Sequence, residues 1–357
     1  MEYMKLAIDL AKQGRGYVNP NPLVGAVLVK DNLVIGQGYH KAYGGPHAEV
    51  HAIGNKRNLK GAALYVTLEP CCHYGKTPPC TDLIMKSGIS KVIVATLDPN
   101  PLVAGKGVEI LRKHGIQVEV GLLGDEARKM NEIFNHFISH KTPYVIMKYA
   151  MTLDGKISTL SGDSKWITGE KARRHVHETR HCVSGILVGI ETIIADNPLL
   201  TTRIENGLSP RPIVLDSKGR IPLKSHVIRP GTILATSDIS GEKLKLLEAK
   251  GVTVLITKRK NNRVDLSQLM VLLGQMNIDS ILVEGGGSVH GSLMAEGLIH
   301  KVQAYIAPKL VGSGKSPATG YHVQLMSQAL DLIDISYTNL EGDILVEGYM
   351  EDVCLQA

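Results

Sequence analysis

TLEPCCHYGKTPPC, residues 67–80, puts three of the chain's five cysteines into one short run with three prolines and a histidine. Upstream, GPHAEVHAI, residues 45–53, sets His47 and Glu49 at the head of a helical pattern. How these thiols are used decides what the surrounding chain must fold into. Five is an odd number, and Cys71 and Cys72 are adjacent, so a disulfide framework fits poorly. A metal site fits better. Catalytic zinc takes three protein ligands from histidine nitrogen and cysteine sulfur and keeps a fourth position for water. His47, Cys71 and Cys80 supply such a set. Glu49, two residues past the histidine, can approach that water without being a ligand, take its proton and return it to a leaving amine. Cys80 follows Pro78-Pro79 at a helix start, where the dipole and free N–H groups favour a thiolate.

A structural zinc is the competing use, but it needs a fourth ligand, and His51 and His73 are the only local candidates. An H-x-E followed by P-C and a further cysteine is the signature of the zinc deaminases. One feature departs from it. The usual second half is P-C-x-x-C, whereas eight residues separate Cys71 from Cys80 here. Cys72 cannot stand in, because adjacent cysteines rarely reach one ion with good geometry. The longer loop brings His73 and Lys76 to the rim, where a lysine suits a phosphorylated substrate.

At 357 residues the chain exceeds one ordinary core, and two domains are expected. Aromatic residues make up only 4%, too few for a platform that stacks single-stranded nucleic acid. No apolar run reaches the length of a membrane span, and MEYMKLAIDLAKQG at the start reads as an amphipathic helix, not a signal peptide. The expected compartment is the cytoplasm, where thiols stay reduced. Residues 1–142 hold 17 Lys+Arg against 12 Asp+Glu; the remainder holds 23 against 22. Such a mild excess suits phosphorylated small molecules as well as RNA.

Residues 1–142 alternate strand and helix. VGAVLVK and LVIGQGYH are joined by the turn residues Asp31 and Asn32; ALYVTL and VIVATL follow, with helices from His47, from Cys80, near 105–114 and near 124–141. That order implies a partly parallel sheet with helices on its faces and active sites at the strand ends. At Pro143 the pattern restarts with YVIMKYAMT, so a second domain of residues 143–357 is expected. It is again α/β, with strands GILVGI, PIVLD, TILATS, VTVLI and SILVEGGG and no repeat of the first half. In ILVEGGGSVHGSLMAEGLI a buried strand runs through three glycines into a helix, exposing N–H groups to a pyrophosphate; a plain tight turn is the alternative. The Rossmann spacing fails, because His290 stands where the third glycine belongs.

HAEVHAI, TLEPCCHYGKTPPC, DPNPLVAGKG and NPNPLVGAVLVK resemble the deaminase half of the bifunctional riboflavin-biosynthesis deaminase–reductase (RibD/RibG) family, which shares the longer cysteine spacing. GDSKWIT, ADNPLLTTR, LDSKGR and VEGGGSVHGS resemble its reductase half, and the match spans the chain in the expected order. The resemblance implies a cytidine-deaminase-like α/β/α domain followed by a dihydrofolate-reductase-like α/β domain, with zinc and NADPH as cofactors. It places the metal on His47, Cys71 and Cys80, the proton shuttle on Glu49, and Asn21, His40, His73, Lys76, Asp98 and Asn100 around the pyrimidine and its ribose phosphate. In the second half it sets Ala150, Trp166, Thr192, Asp196, Ser217 and the run Gly286, Gly287, Ser288, Val289, His290, Gly291, Ser292 against NADPH. Ser164, Arg180, Leu200, Arg203 and Glu284 match the substrate side, and Lys148 at the end of the first strand completes it. Taken alone, Arg180 and Arg203 would read as solvated charges. Lys218 and Arg220, by position after PIVLD, are the candidates to choose NADPH over NADH.

The expectation is therefore deamination of a phosphorylated diamino-ribosylaminopyrimidinone, then NADPH-dependent reduction of its ribosyl group to ribityl. The expected partner is that small molecule, with no nucleic acid and no membrane, in a homo-oligomer. The rivals are a tRNA or nucleoside deaminase with an unrelated C-terminal domain, and a zinc-stapled RNA-binding protein.

Overall fold

The computed structural model describes residues 1–56, 58–74, 78–100 and 103–350. The chain divides into a unit of residues 1–140 and a second unit that begins at Lys141. In the first, the order is α1 (Glu2–Lys12), β1 (Gly25–Lys30), β2 (Leu33–Tyr39), α2 (Ala48–Ile53), β3 (Ala63–Leu68), α3 (Cys80–Ser87), β4 (Lys91–Thr96), α4 (Lys106–Lys113), β5 (Gln117–Val120), α5 (Gly124–Met130) and α6 (Glu132–His140). The sheet runs β2-β1-β3-β4-β5. β1 is antiparallel to β2 and β3, while β3, β4 and β5 are parallel. Asp31 and Asn32 both take left-handed backbone, φ 50° and 61°, the pairing a tight hairpin turn demands.

Strand alternation splits the core into two layers. Ala26, Leu28, Val66 and Val94 face α2, α3 and α4, while Val27, Val29, Ile93 and Ala95 face α1 and α5. Leu28 is fully buried, and truncating such a side chain to alanine costs about 2–5 kcal/mol. Gly25 lets α1 lie close on the sheet, since a Cβ there would fall 1.9 Å from the Ala7 carbonyl oxygen. Two details differ from the sequence pattern. The helix expected near 124–141 is two helices, broken at buried Asn131, whose side chain clamps the Leu23 backbone through both its oxygen (2.8 Å) and its nitrogen (3.0 Å). β5 is an added edge strand whose mostly exposed QVEV gave little apolar signal.

The second unit contains β6 (Tyr144–Thr152), β7 (Ser158–Thr159), α7 (Glu170–Cys182), β8 (Gly185–Gly189), α8 (Ile190–Asp196), β9 (Arg211–Leu215), β10 (Ile233–Thr236), α9 (Gly241–Glu248), β11 (Thr253–Ile256), β12 (Arg259–Lys260) and β13 (Arg263–Val264). It continues with α10 (Leu266–Gln275), β14 (Ser280–Val283), α11 (Gly287–Ala295), β15 (Lys301–Ala307), β16 (Gly314–Lys315), β17 (Leu332–Leu340) and β18 (Asp343–Met350). Nine strands form one sheet in the order β11-β10-β9-β8-β14-β6-β15-β18-β17. The seven from β11 to β15 are parallel, and β18 and β17 add an antiparallel edge. Helices cover both faces over two apolar clusters, one around Leu187, Leu273 and Ile281, the other around Val188, Val214 and Leu234. The carboxyl ends of β8, β9 and β14 open together at one rim, where ligands of parallel sheets bind.

Candidate active sites

In the first unit, β3 delivers the TLEPCC segment and the starts of α2 and α3 deliver the remaining donors. His47 caps α2, and Cys80 is the first residue of α3 behind Pro79. Cys71 Sγ lies 3.5 Å and Cys80 Sγ 3.3 Å from His47 Nδ1, and the three donor atoms all fall within 4.8 Å of one another. Ligand atoms around tetrahedral zinc are separated by about 3.5–3.8 Å, so the set fits that ion. Cys72 is half-buried and stands outside this group. The Cys80 backbone N–H donates to Cys71 Sγ at 3.4 Å. A hydrogen bond from Cys80 and the nearby His47 bring the Cys71 thiol down to about 4, the thiolate that a metal needs. The same hydrogen bond, with burial, pushes the Cys80 thiol up. Glu49 sits on the first turn of α2, 3% exposed, and burial followed by the Cys71 charge pushes its carboxyl up to about 7. A carboxyl titrating near neutrality can both accept and release a proton at working pH.

Around this cluster, buried His40 joins Asn21 Nδ2 (3.1 Å) to the Pro46 carbonyl (3.1 Å), and its ring meets His47 edge-on at 5.6 Å. Asp98 accepts from the Asn100 backbone N–H at 2.8 Å, and burial pushes its carboxyl up to about 6. His73 is exposed and near enough to Asp98 to oppose that shift. Lys76 lies outside the described residues. Sequence reasoning missed Glu69. Its buried carboxylate accepts from the backbone N–H groups of Gly105 (2.8 Å), Val108 (3.0 Å) and Asp98 (3.2 Å), tying Asp98 to the start of α4. A carboxylate following a strand was the available signal, but its partners lie more than 25 residues away.

In the second unit, two places stand out. At the first, Arg180 of α7 forks onto Glu284 at the end of β14, Nε to Oε1 2.7 Å and Nη2 to Oε2 3.0 Å. Arg180 Nη1 also donates to the Thr201 carbonyl, drawing the Leu200–Arg203 segment in, and Lys148 Nζ of β6 lies 3.7 Å from Glu284. Arg180 is thus a partly buried ion-pair partner and not a solvated helix charge; Arg203 is exposed. Leu200 is buried in the core with a left-handed φ of 53°, and Ser164 is half-buried.

The second place is a cleft of about 850 Å³. It brings together Thr192, Ser217, Gly286, Ser288, Val289, Gly291 and Ser292, together with Lys218 and Arg220. A Cβ on Gly286 would meet nothing within 4 Å, so the turn leaves its backbone open for a dinucleotide, and the volume suits one. Other expected cofactor residues do not line this cleft. Gly287 and His290 are buried, with His290 Nδ1 2.8 Å from the Pro317 carbonyl. Asp196 faces Lys165 at 3.7 Å, exposed Trp166 stacks under Arg173 at 4.7 Å, and Ala150 packs beside Tyr305. Arg263 and Lys260, on the β12–β13 hairpin, were not foreseen in the lining, because nothing local in the sequence reveals which loop a two-residue hairpin reaches.

Residues 1–96 match the cytidine and deoxycytidylate deaminase zinc-binding region, and residues 143–346 match the RibD C-terminal domain. The chain is 48% identical to the riboflavin biosynthesis protein RibD of Actinobacillus pleuropneumoniae, covering 98% of this chain and 95% of that protein. It is 47% identical to the RibD of Aquifex aeolicus over 96% of each. Among solved structures, a diaminohydroxyphosphoribosylaminopyrimidine deaminase/5-amino-6-(5-phosphoribosylamino)uracil reductase from Thermotoga maritima superposes with a TM-score of 0.86 at 40% identity, over 98% of both chains. RibD of Acinetobacter baumannii superposes at 0.89 and 38% identity, again over 98% of both. With one half matched by a zinc deaminase region, the other by the reductase region, and whole relatives aligned end to end, the chain belongs to the RibD family of riboflavin biosynthesis proteins.

Proposed function

We propose that the first unit deaminates a phosphorylated diamino-ribosylaminopyrimidinone and that the second reduces the ribosyl group of the product to a ribityl chain. The observation that carries this is the His47, Cys71 and Cys80 donor cluster with buried Glu49 on the same helix head, in a chain whose other half holds an open glycine-turn cleft. When bound, zinc supplies a Lewis acid that makes water nucleophilic near neutral pH, and NADPH supplies a hydride. Glu49 takes the proton from the attacking water and delivers it to the departing amine. Asn21, His40, Asp98 and Asn100 hold the pyrimidine, and Asp98 keeps its place through Glu69. In the second unit, Glu284 lies at the strand end where cofactor and substrate meet. Arg180 holds that carboxylate in position, while Lys148 and exposed Arg203 offer cations to the ribose phosphate. With NADPH bound, these residues would hold the ribosyl C1 where a hydride from the cofactor would replace its bond to the ring oxygen, with solvent supplying the proton that oxygen needs.

The partner in this reading is the small phosphorylated pyrimidine and not a nucleic acid. Among the described residues no helix is long and apolar enough to cross a membrane, and the cytoplasm is the expected site of action. A homo-oligomer is the expected assembly, supported by the exposed nine-residue edge strand β17, since a long free edge favours pairing. The test is direct. Purified zinc-loaded protein with the pyrimidine should release ammonia without NADPH, and should consume NADPH only after that release. NADPH loss without ammonia, or neither change, overturns the reading.

A further inference from the structure

The cleft assigned above to NADPH has an uneven charge. Its lining holds four cations, Lys218, Arg220, Lys260 and Arg263, and two carboxylates, Glu191 and Glu296, leaving a net +2. The carboxylates are already matched: Arg220 pairs with Glu191, and Lys260 Nζ lies 3.2 Å from Glu296. Lys218 and Arg263 have no carboxylate partner among the described residues, and both are exposed. Arg263 is nevertheless held. Its Nη1 donates to Ser292 Oγ on α11 at 2.8 Å, and the next residue, Val264, donates its backbone N–H to Ser217 Oγ at 3.1 Å. The hairpin is thereby fastened between the loop after β9 and the glycine-turn helix, with its arginine on the cleft.

The direction of a bound dinucleotide follows from the sheet order. The Lys148, Arg180 and Glu284 group stands at β6 and β14, and the open Gly286 backbone follows β14. A nicotinamide near Glu284 and a pyrophosphate over Gly286 carry the adenosine toward β8 and β9, where parallel sheets read the ribose 2′ position. Resting on the NADPH reading above, we propose that Lys218 and Arg263 form the subsite for the 2′-phosphate, and that these two residues, not the ion-paired Arg220, set the preference for NADPH over NADH. A phosphate monoester carries a charge near −2 and three acceptor oxygens. An arginine fork and a lysine ammonium satisfy it with charge-assisted hydrogen bonds.

The experiment is calorimetric binding to the full-length chain, with NADPH and NADH as one pair of probes and 2′,5′-ADP and 5′-AMP as another. Wild type should bind the 2′-phosphorylated member of each pair more tightly. Arg263→Gln and Lys218→Gln should each weaken NADPH and 2′,5′-ADP by about tenfold while leaving NADH and 5′-AMP within about twofold. Arg263→Lys should keep part of the preference, and added salt should weaken NADPH more than NADH. Equal losses for NADPH and NADH would put these cations on the pyrophosphate and overturn the inference, as would variants that keep the wild-type preference. A wild-type chain that binds neither dinucleotide would overturn the cleft reading itself, and the inference with it.

Discussion

Arg180 and Glu284 meet as a partly buried fork, with both hydrogen bonds at 3.0 Å or less and side chains 15% and 11% exposed. Burial alone would raise the Glu284 carboxyl. The charges of Lys148 and Arg180 outweigh it and hold the carboxyl down at about 2. This one contact joins the end of β14 to α7 and, through Arg180 and Thr201, to the Leu200–Arg203 segment.

The pair makes a prediction about pH. A carboxyl depressed from 4.5 to about 2 adds stability that is fully present above pH 4.5 and is lost as pH falls toward 2. The whole contribution is about 3 kcal/mol. Glu284→Gln should remove it, leaving two cations unpaired in a buried place, and lower the unfolding temperature of the second unit at pH 7. The gap between wild type and variant should shrink between pH 4.5 and pH 3. Calorimetric scans across that range check it, and a gap independent of pH would show that the ion pair contributes little.

Glu49→Gln should abolish ammonia release while leaving about one zinc per chain, because in the proposed mechanism the residue moves protons and is not one of the three ligands. Reduction of pre-deaminated substrate should continue at the wild-type rate. Metal analysis beside the two activity assays checks this, and a zinc-free variant would show that Glu49 belongs to the metal site.

The adjacent cysteines should behave differently. Cys71→Ser and Cys80→Ser should each lose zinc and deamination, since a hydroxyl replaces a thiolate ligand poorly. Cys72→Ser should keep both, as Cys72 stands outside the donor cluster. Loss of zinc from the Cys72 variant would redraw the ligand set.

Glu69 gives a prediction that the sequence did not suggest. Glu69→Ala strips three backbone N–H groups of their acceptor, at a cost of roughly 1–3 kcal/mol for each left buried and unpaired. Asp98 and the start of α4 should loosen, raising the deaminase KM well before zinc content falls. A variant that keeps its KM would show that Asp98 and Asn100 are positioned by other contacts.

What the sequence revealed tracks how local each signal is. Strands β1, β3, β4, β6 and β14 are short apolar runs between turn residues, and they fall where that pattern puts them. The donor cluster was legible because residue type limits metal chemistry so tightly that His47, Cys71 and Cys80 were the natural trio, and the fold brings their donor atoms within 4.8 Å of one another. Exposed edges were not legible. Neither β5 nor β17 buries enough side chain to mark itself. The break at Asn131 was hidden because its cause, Leu23, lies 108 residues away. Glu69 and Arg263 act through partners from distant segments, and only the folded chain brings those together. His290 lies in the run expected against the cofactor, and the folded chain turns its ring into the interior toward Pro317, an orientation that no local pattern encodes.

The final prediction concerns the second unit by itself. All nine strands of its sheet, both apolar clusters, the Arg180–Glu284 pair and the full lining of the cleft come from residues beyond 140. The chain must begin no later than Lys141, whose carbonyl packs against Gly274, where a Cβ would fall 1.9 Å away. Its size suits one independent core. Residues 141–357 alone should therefore fold cooperatively, bind NADPH more tightly than NADH, and reduce the deaminated intermediate in the presence of a zinc chelator. Circular dichroism establishes folding, and NADPH fluorescence titration establishes binding. A folded fragment that leaves NADPH fluorescence unchanged would mean that the cleft is incomplete without the first unit, and the assignment of hydride transfer to the second unit alone would fall.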